Sequence, residues 1–194
     1  AQARGTKFPD EVVAEFRQLE KMPEDIQKVV DSLDPVRQIA RELADSKSVL
    51  FLGRHVGYPT ALEGALKLKE LAYMHAEGFP AGELKHGPIA LIEDGLPVFI
   101  VMPPVEGRGV LHSKLVSNIQ EIRARGALTI VIAEEGDEVV RPLADHFIPI
   151  PASTTLLQPL LATIPYQAFA AEVAAARGYD VDKPRNLAKS VTVE

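Results

Sequence analysis

A chain of 194 residues is long enough for one globular domain with a real core and too short for two of ordinary size. Its 46% hydrophobic and 25% charged residues exclude a disordered or low-complexity chain, and 21 Lys+Arg against 27 Asp+Glu, a net charge of −6, leave no basic field for a nucleic-acid backbone. With no cysteine there is no disulfide, thiolate zinc site or cysteine nucleophile within it, and apolar runs such as Val98–Met102 fall far short of the roughly 20 residues that cross a bilayer.

The chain therefore reads as soluble and cytoplasmic, with neither nucleic acid nor membrane as a partner. It opens on Ala1 rather than a methionine and with a polar stretch that is no signal peptide, as a piece of something longer would. Two short helical pieces are predicted in the first thirty residues, one carrying Val12, Val13, Phe16 and Leu19, the other Ile26, Val29 and Val30 after Pro23. They act as a connector, residues 1–33. Asp34 is a good N-cap and Pro35 suits the first helical position, so a helix is predicted to about Asp45.

Val49 to Gly53, Val98 to Met102, Leu128 to Ile132 and the shorter Phe147 to Ile150 are continuous apolar runs, the pattern of strands buried on both faces. Between them Thr60 to Met74 reads as a helix, and Leu111, Leu115, Ile119 and Ile122 mark a crossover helix that Gly126 stops. A last helix over Thr155 to Arg177 should start late and kink, because of Pro159 and Pro165. Helices alternating with buried strands predict a three-layer α/β/α sandwich on a parallel sheet over residues 34–178, with ligands at the carboxyl ends of the strands where their order switches.

Glu63, Lys67 and Glu70 fall at i, i+4 and i+7, so all three leave one helix face. Such a stripe is commonly a solvated row of ion pairs; its functional alternative is a carboxylate and an ammonium poised for proton transfer. The loop Gly53-Arg54-His55-Val56-Gly57 lacks the spacing of a phosphate cradle and reads as a plain turn. His75-x-Glu77 and Glu83-x-x-His86 do not repeat on long helices as a di-metal site requires, so no metal and no cofactor are expected. His86 stands in a run braced by glycines and prolines, Glu77 to Pro88, a composition typical of functional loops. The tail Asp182 to Glu194, by composition alone, is a frayed end.

The stretch Ala61 to Glu70, the stretch Ala81-Gly82-Glu83-Leu84-Lys85-His86-Gly87-Pro88 and the ending Pro184-Arg185-Asn186-Leu187-Ala188-Lys189-Ser190-Val191-Thr192-Val193-Glu194 together resemble the C-terminal sugar isomerase (SIS) domain of the glutamine–fructose-6-phosphate aminotransferase (glucosamine-6-phosphate synthase) family. All three occur in order, and the resemblance runs from about Asp34 to the end. It implies a five-stranded parallel sheet, adding a short strand near Ala76 to Phe79. It also implies a reaction, the condensation of fructose 6-phosphate with ammonia from glutamine followed by isomerisation to glucosamine 6-phosphate.

By the same resemblance, Glu70 shuttles a proton between C1 and C2 of the open-chain imine and Lys67 assists transfer at the neighbouring oxygens. His86 opens the sugar ring and reaches the site of the other subunit of a homodimer. Lys189 lies near the sugar, with Arg185, Asn186 and Ala188 in a tail, residues 179–194, that covers the site. The phosphate is held chiefly by a Ser/Thr-rich loop of a preceding SIS domain, for which this sequence shows no counterpart, and a preceding glutaminase domain supplies ammonia. A stand-alone sugar-phosphate isomerase or deglycase, and a non-catalytic sugar-phosphate-binding module, are the alternatives; the first would need its own Ser/Thr phosphate loop, and no helix-turn-helix or basic face supports the second as a regulator.

Overall fold

A computed structural model describes residues 1–105 and 109–187. Its centre is a five-stranded sheet, all parallel, in which β1 (Ser48–Gly53), β2 (His75–Pro80), β3 (Pro97–Val101), β4 (Leu128–Glu134) and β5 (His146–Ile150) stand in the order β2-β1-β3-β4-β5. Parallel strands need crossovers, and α3 (Gly57–Ala72) and α4 (Gly109–Arg123) supply them. The sandwich and the strand implied near Ala76 to Phe79 are both present.

Two apolar clusters sandwich the sheet, which is why its central strands read as unbroken apolar runs. On one side Phe51, Phe99, Val101 and Ile132 meet Leu68 of α3, Phe169 of α5 (Gln158–Ala176) and Ile39 of α2 (Asp34–Glu42). On the other, Leu50, Leu52, Ile100 and Val131 meet Leu115, Ile119 and Ile122 of α4, together with Leu84 of a short 3₁₀ turn, Ala81–His86.

The beginning of the chain departs from its sequence pattern. One helix, α1 (Pro9–Asp31), replaces the two short pieces and carries Pro23 inside it. A proline there costs roughly 3 kcal/mol, but Met22 and Val29 on either side of it are buried in the core, and that packing outweighs the local penalty. Asp34 is the first residue of α2 rather than its cap; its carboxylate accepts from Arg37 at 2.6 Å, and the helix closes at Glu42, short of Asp45. The last helix starts late, at Gln158, with Pro159 in its first turn and Pro165 inside it.

One side chain gathers three elements. Arg177, after α5, donates from Nε to Ala44 O at 2.6 Å, from Nη1 to Ala72 O at 3.0 Å and from Nη2 to Ser46 O at 3.0 Å. It thereby ties the end of α5 to the ends of α2 and α3, occupying carbonyls that helix ends leave unpaired. Among the described residues no helix is long and apolar enough to cross a membrane.

Candidate active site

α3 buries Ala61, Ala65, Leu68 and Ala72, which leaves Glu63, Lys67 and Glu70 on a partly exposed face. Lys67 Nζ donates to Glu70 Oε2 at 2.6 Å and lies 3.8 Å from Glu63 Oε1. The hydrogen bond to Glu70 raises the Lys67 pKa above its ordinary value; partial burial opposes that, and the charges of Glu63 and Glu70 add to it. Lys67 is therefore an ammonium at neutral pH, aimed at a carboxylate with one oxygen left to accept a proton.

Glu70 borders a groove of about 520 Å³ whose other walls are Lys69, Tyr73, Met74 and His75 on one side and Arg185, Asn186 and Leu187 on the other. The tail thus returns to the last turn of α3. Asp180 Oδ1 accepts the N–H groups of Asp182 at 2.9 Å and Lys183 at 3.2 Å, turning the chain back. The Arg185 guanidinium then lies 4.1 Å over the Tyr73 ring, and the Arg185 N–H donates to the Tyr73 hydroxyl at 2.7 Å. Tyr179 packs on Tyr73 with ring centroids 4.8 Å apart. Glu70, Lys67, Arg185 and Asn186 are so brought into one neighbourhood, whereas Ala188 and Lys189 lie outside the described residues.

The position of this groove differs from the carboxyl-end placement that the fold class predicts. α3 runs antiparallel to the strands, so its last turn meets the first residue of β2, His75, which pairs with Ser48 at the amino edge of the sheet. His86 sits elsewhere. It ends the 3₁₀ turn that follows the carboxyl end of β2, and Ala81 and Leu84 of that turn pack in the α4-side cluster, across the sheet from α3. The six residues of β2 alone span about 16 Å, so one chain does not join His86 to Glu70. His86 is exposed and, among the described residues, has no hydrogen-bonding partner.

Tyr73 and Tyr179 are the site-forming residues that sequence reasoning missed. A tyrosine ending a helix carries no mark of a partner 112 residues away. The loop after β1 is a turn, with Gly57 N–H donating to Arg54 O at 2.9 Å, and the Arg54 guanidinium is bound to Asn118 Oδ1 from Nη2 at 2.8 Å. A Ser/Thr run does occur, Ser153-Thr154-Thr155 after β5, but it lines a separate cavity of about 580 Å³ beneath α1. Of the charged groups there, Glu15 pairs with Lys7 and Lys21 with Asp25, while Glu134 accepts the Val105 N–H at 3.4 Å. Among the described residues no three His, Asp or Glu side chains are grouped to hold a metal ion.

Comparison with known proteins agrees with this architecture. A family model described as the SIS domain matches residues 42–177. The chain is 73% identical over 194 residues to the glutamine–fructose-6-phosphate aminotransferase (isomerizing) of Mycobacterium tuberculosis, all of this chain and 31% of that protein. It is 68% identical over 193 residues to the protein of the same name from Streptomyces coelicolor, again covering 31% of it. The chain therefore spans about a third of the length of the curated relatives it matches. Among solved structures, the C-terminal domain of glucosamine-fructose-6-phosphate aminotransferase from Francisella tularensis superposes with a TM-score of 0.82 at 35% identity, over 91% of this chain and 49% of that one.

Proposed function

This chain belongs to the SIS domain family, and we propose that it works as the C-terminal isomerase domain of a glutamine–fructose-6-phosphate aminotransferase, a cytoplasmic homodimer that makes glucosamine 6-phosphate. High identity along the whole chain to proteins of that name supports the assignment. On this reading residues 34–178 are the SIS domain, 1–33 the end of a preceding domain with its helical linker, and 179–194 the tail over the site.

The observation that carries the chemistry is the 2.6 Å contact between Lys67 and Glu70 at the rim of the groove that the tail borders. Moving a proton from C1 to C2 of an open-chain sugar imine needs one base that reaches adjacent carbons. Glu70 takes the C1 proton through its carboxylate and returns it to C2. As the C1 proton leaves, its bonding pair passes to the imine nitrogen, which takes up a proton; the Lys67 ammonium holds the carboxylate in place and stabilises the oxygen at C1 as its hydroxyl proton departs and C2 is protonated. Lys189, with Arg185, Asn186 and Ala188, closes over the sugar.

Ring opening falls to His86, whose imidazole can both give and take a proton and which serves the site of the neighbouring subunit. Its separation from Glu70 across the sheet favours that exchange. The sugar phosphate is held chiefly by the preceding SIS domain and ammonia comes from a glutaminase domain, in keeping with a groove at the amino edge of this sheet rather than at its carboxyl ends. In the full-length enzyme Glu70→Gln should leave sugar-phosphate binding largely intact and slow isomerisation by roughly 10²–10⁴, the usual contribution of a positioned acid/base. A rate near that of the parent would return Glu70 to the role of a solvated ion-pair partner.

A further inference from the structure

We propose that Tyr73 is a positioning residue that pins Arg185 beside the last turn of α3 and thereby fixes where the segment bearing Lys189 begins; the inference rests on the reading of the tail given above. Tyr73 occupies the C-cap of α3 with φ 52, in the left-handed region where glycine is the usual residue. Holding a bulky residue there costs free energy, and a glycine would relieve it. What a glycine could not supply is the side chain, whose hydrogen bond and ring contacts all go to the tail. Its ring face takes the Arg185 guanidinium at 4.1 Å, its hydroxyl accepts the Arg185 N–H at 2.7 Å, and Tyr179 packs beside it at 4.8 Å.

The hold is double, because one tyrosine grips both the side chain and the backbone of one arginine. Arg185 has no carboxylate partner among the described residues, so the ring and hydroxyl of Tyr73 are what locate it. Tyr73 itself follows Glu70 by one helical turn, and both border the same groove. From a fixed Arg185, four residues reach at most about 14 Å, which bounds how far position 189 can stand from it. Releasing Arg185 dilutes Lys189 over a larger volume and lowers its effective concentration at the sugar.

The test uses the full-length enzyme with Tyr73→Phe, which keeps the ring and loses the hydroxyl, and Tyr73→Leu, which loses both. Limited trypsin digestion followed by mass spectrometry reads cleavage after Arg185, with cleavage after Arg177 as the control for melting of the helix ends. Tyr73→Phe should speed the cut after Arg185 by roughly two- to tenfold, the worth of one hydrogen bond, and Tyr73→Leu by several-fold more, as the cation–π contact goes too. kcat/KM for the sugar phosphate should fall in the same order, and the loss should vanish when Lys189→Ala is already present. An unchanged cut after Arg185 in Tyr73→Leu overturns the proposal. So does a cut after Arg177 that accelerates in step, since that would make Tyr73 a support of the fold alone. Full activity in Lys189→Ala by itself would defeat the assigned role of the tail, while the digestion would still decide whether Tyr73 holds it.

Discussion

Lys67 stands between two carboxylates, yet only Glu70 accepts its hydrogen bond, at 2.6 Å against 3.8 Å to Glu63. The nearer acceptor governs the lysine, so Lys67→Met should cost more isomerase activity than Glu63→Gln. The raised pKa of Lys67 also has a stability consequence. A lysine bound more tightly to its proton when folded contributes its full stabilisation below the unfolded-state pKa and loses it as pH rises through the higher folded value. The melting-temperature difference between the parent and Lys67→Met should therefore stay flat from about pH 7 to 9 and shrink only above about pH 10.5. A difference that already narrows between pH 7 and 9 would mean that the lysine is not held by this pair. Because both partners are partly exposed, the whole effect is small and falls with added salt.

At the scale of the element, α3 does two jobs on opposite faces, presenting the Lys67–Glu70 pair outward and packing inward on α5. The inward face closes tightly at Gly64, where a Cβ would come within 2.8 Å of the Tyr166 ring and 2.9 Å of Phe51. Both rings are fully buried, and Tyr166 packs edge-on to Phe51 with centroids 5.1 Å apart, so neither can swing aside. Gly64→Ala gains up to about 1 kcal/mol of helix propensity, but overpacking of this kind costs about 1–3 kcal/mol, and a net loss of stability is expected. Urea unfolding would read it, and a variant as stable as the parent would show that the two helices can part. The strands of this fold were legible because burial on both faces makes an unbroken apolar run. β2 was not, since His75–Pro80 is an edge strand whose only fully buried residue is Ala76, and it needed the family resemblance to be seen. α1 was misread for the converse reason, because Pro23 signals a break locally and the core overrides it.

Across the whole molecule, Glu70 and His86 lie at opposite ends of β2 and on opposite faces of the sheet, so on the proposed mechanism a site that uses both would draw them from two subunits. Mixing full-length Glu70→Gln with full-length His86→Ala, each nearly inactive alone, should therefore restore activity. With complete exchange in a two-fold dimer, about half the dimers are hybrid with one intact site of two, and roughly a quarter of the parental rate returns. No recovery despite proven exchange would place both residues in one chain's site. Of this site, the stripe Glu63, Lys67 and Glu70 was readable because helical spacing is local, while the docking of Arg185 on Tyr73 depends on a fold that brings distant residues together. The same distance bears on the Arg177 clamp. Its carbonyl partners lie 105, 131 and 133 residues back along the chain, so its bonds can close only after most of the polypeptide has been gathered. In kinetic terms the clamp belongs to the far side of the folding barrier, where an interaction retards the opening of the native state without hastening its formation.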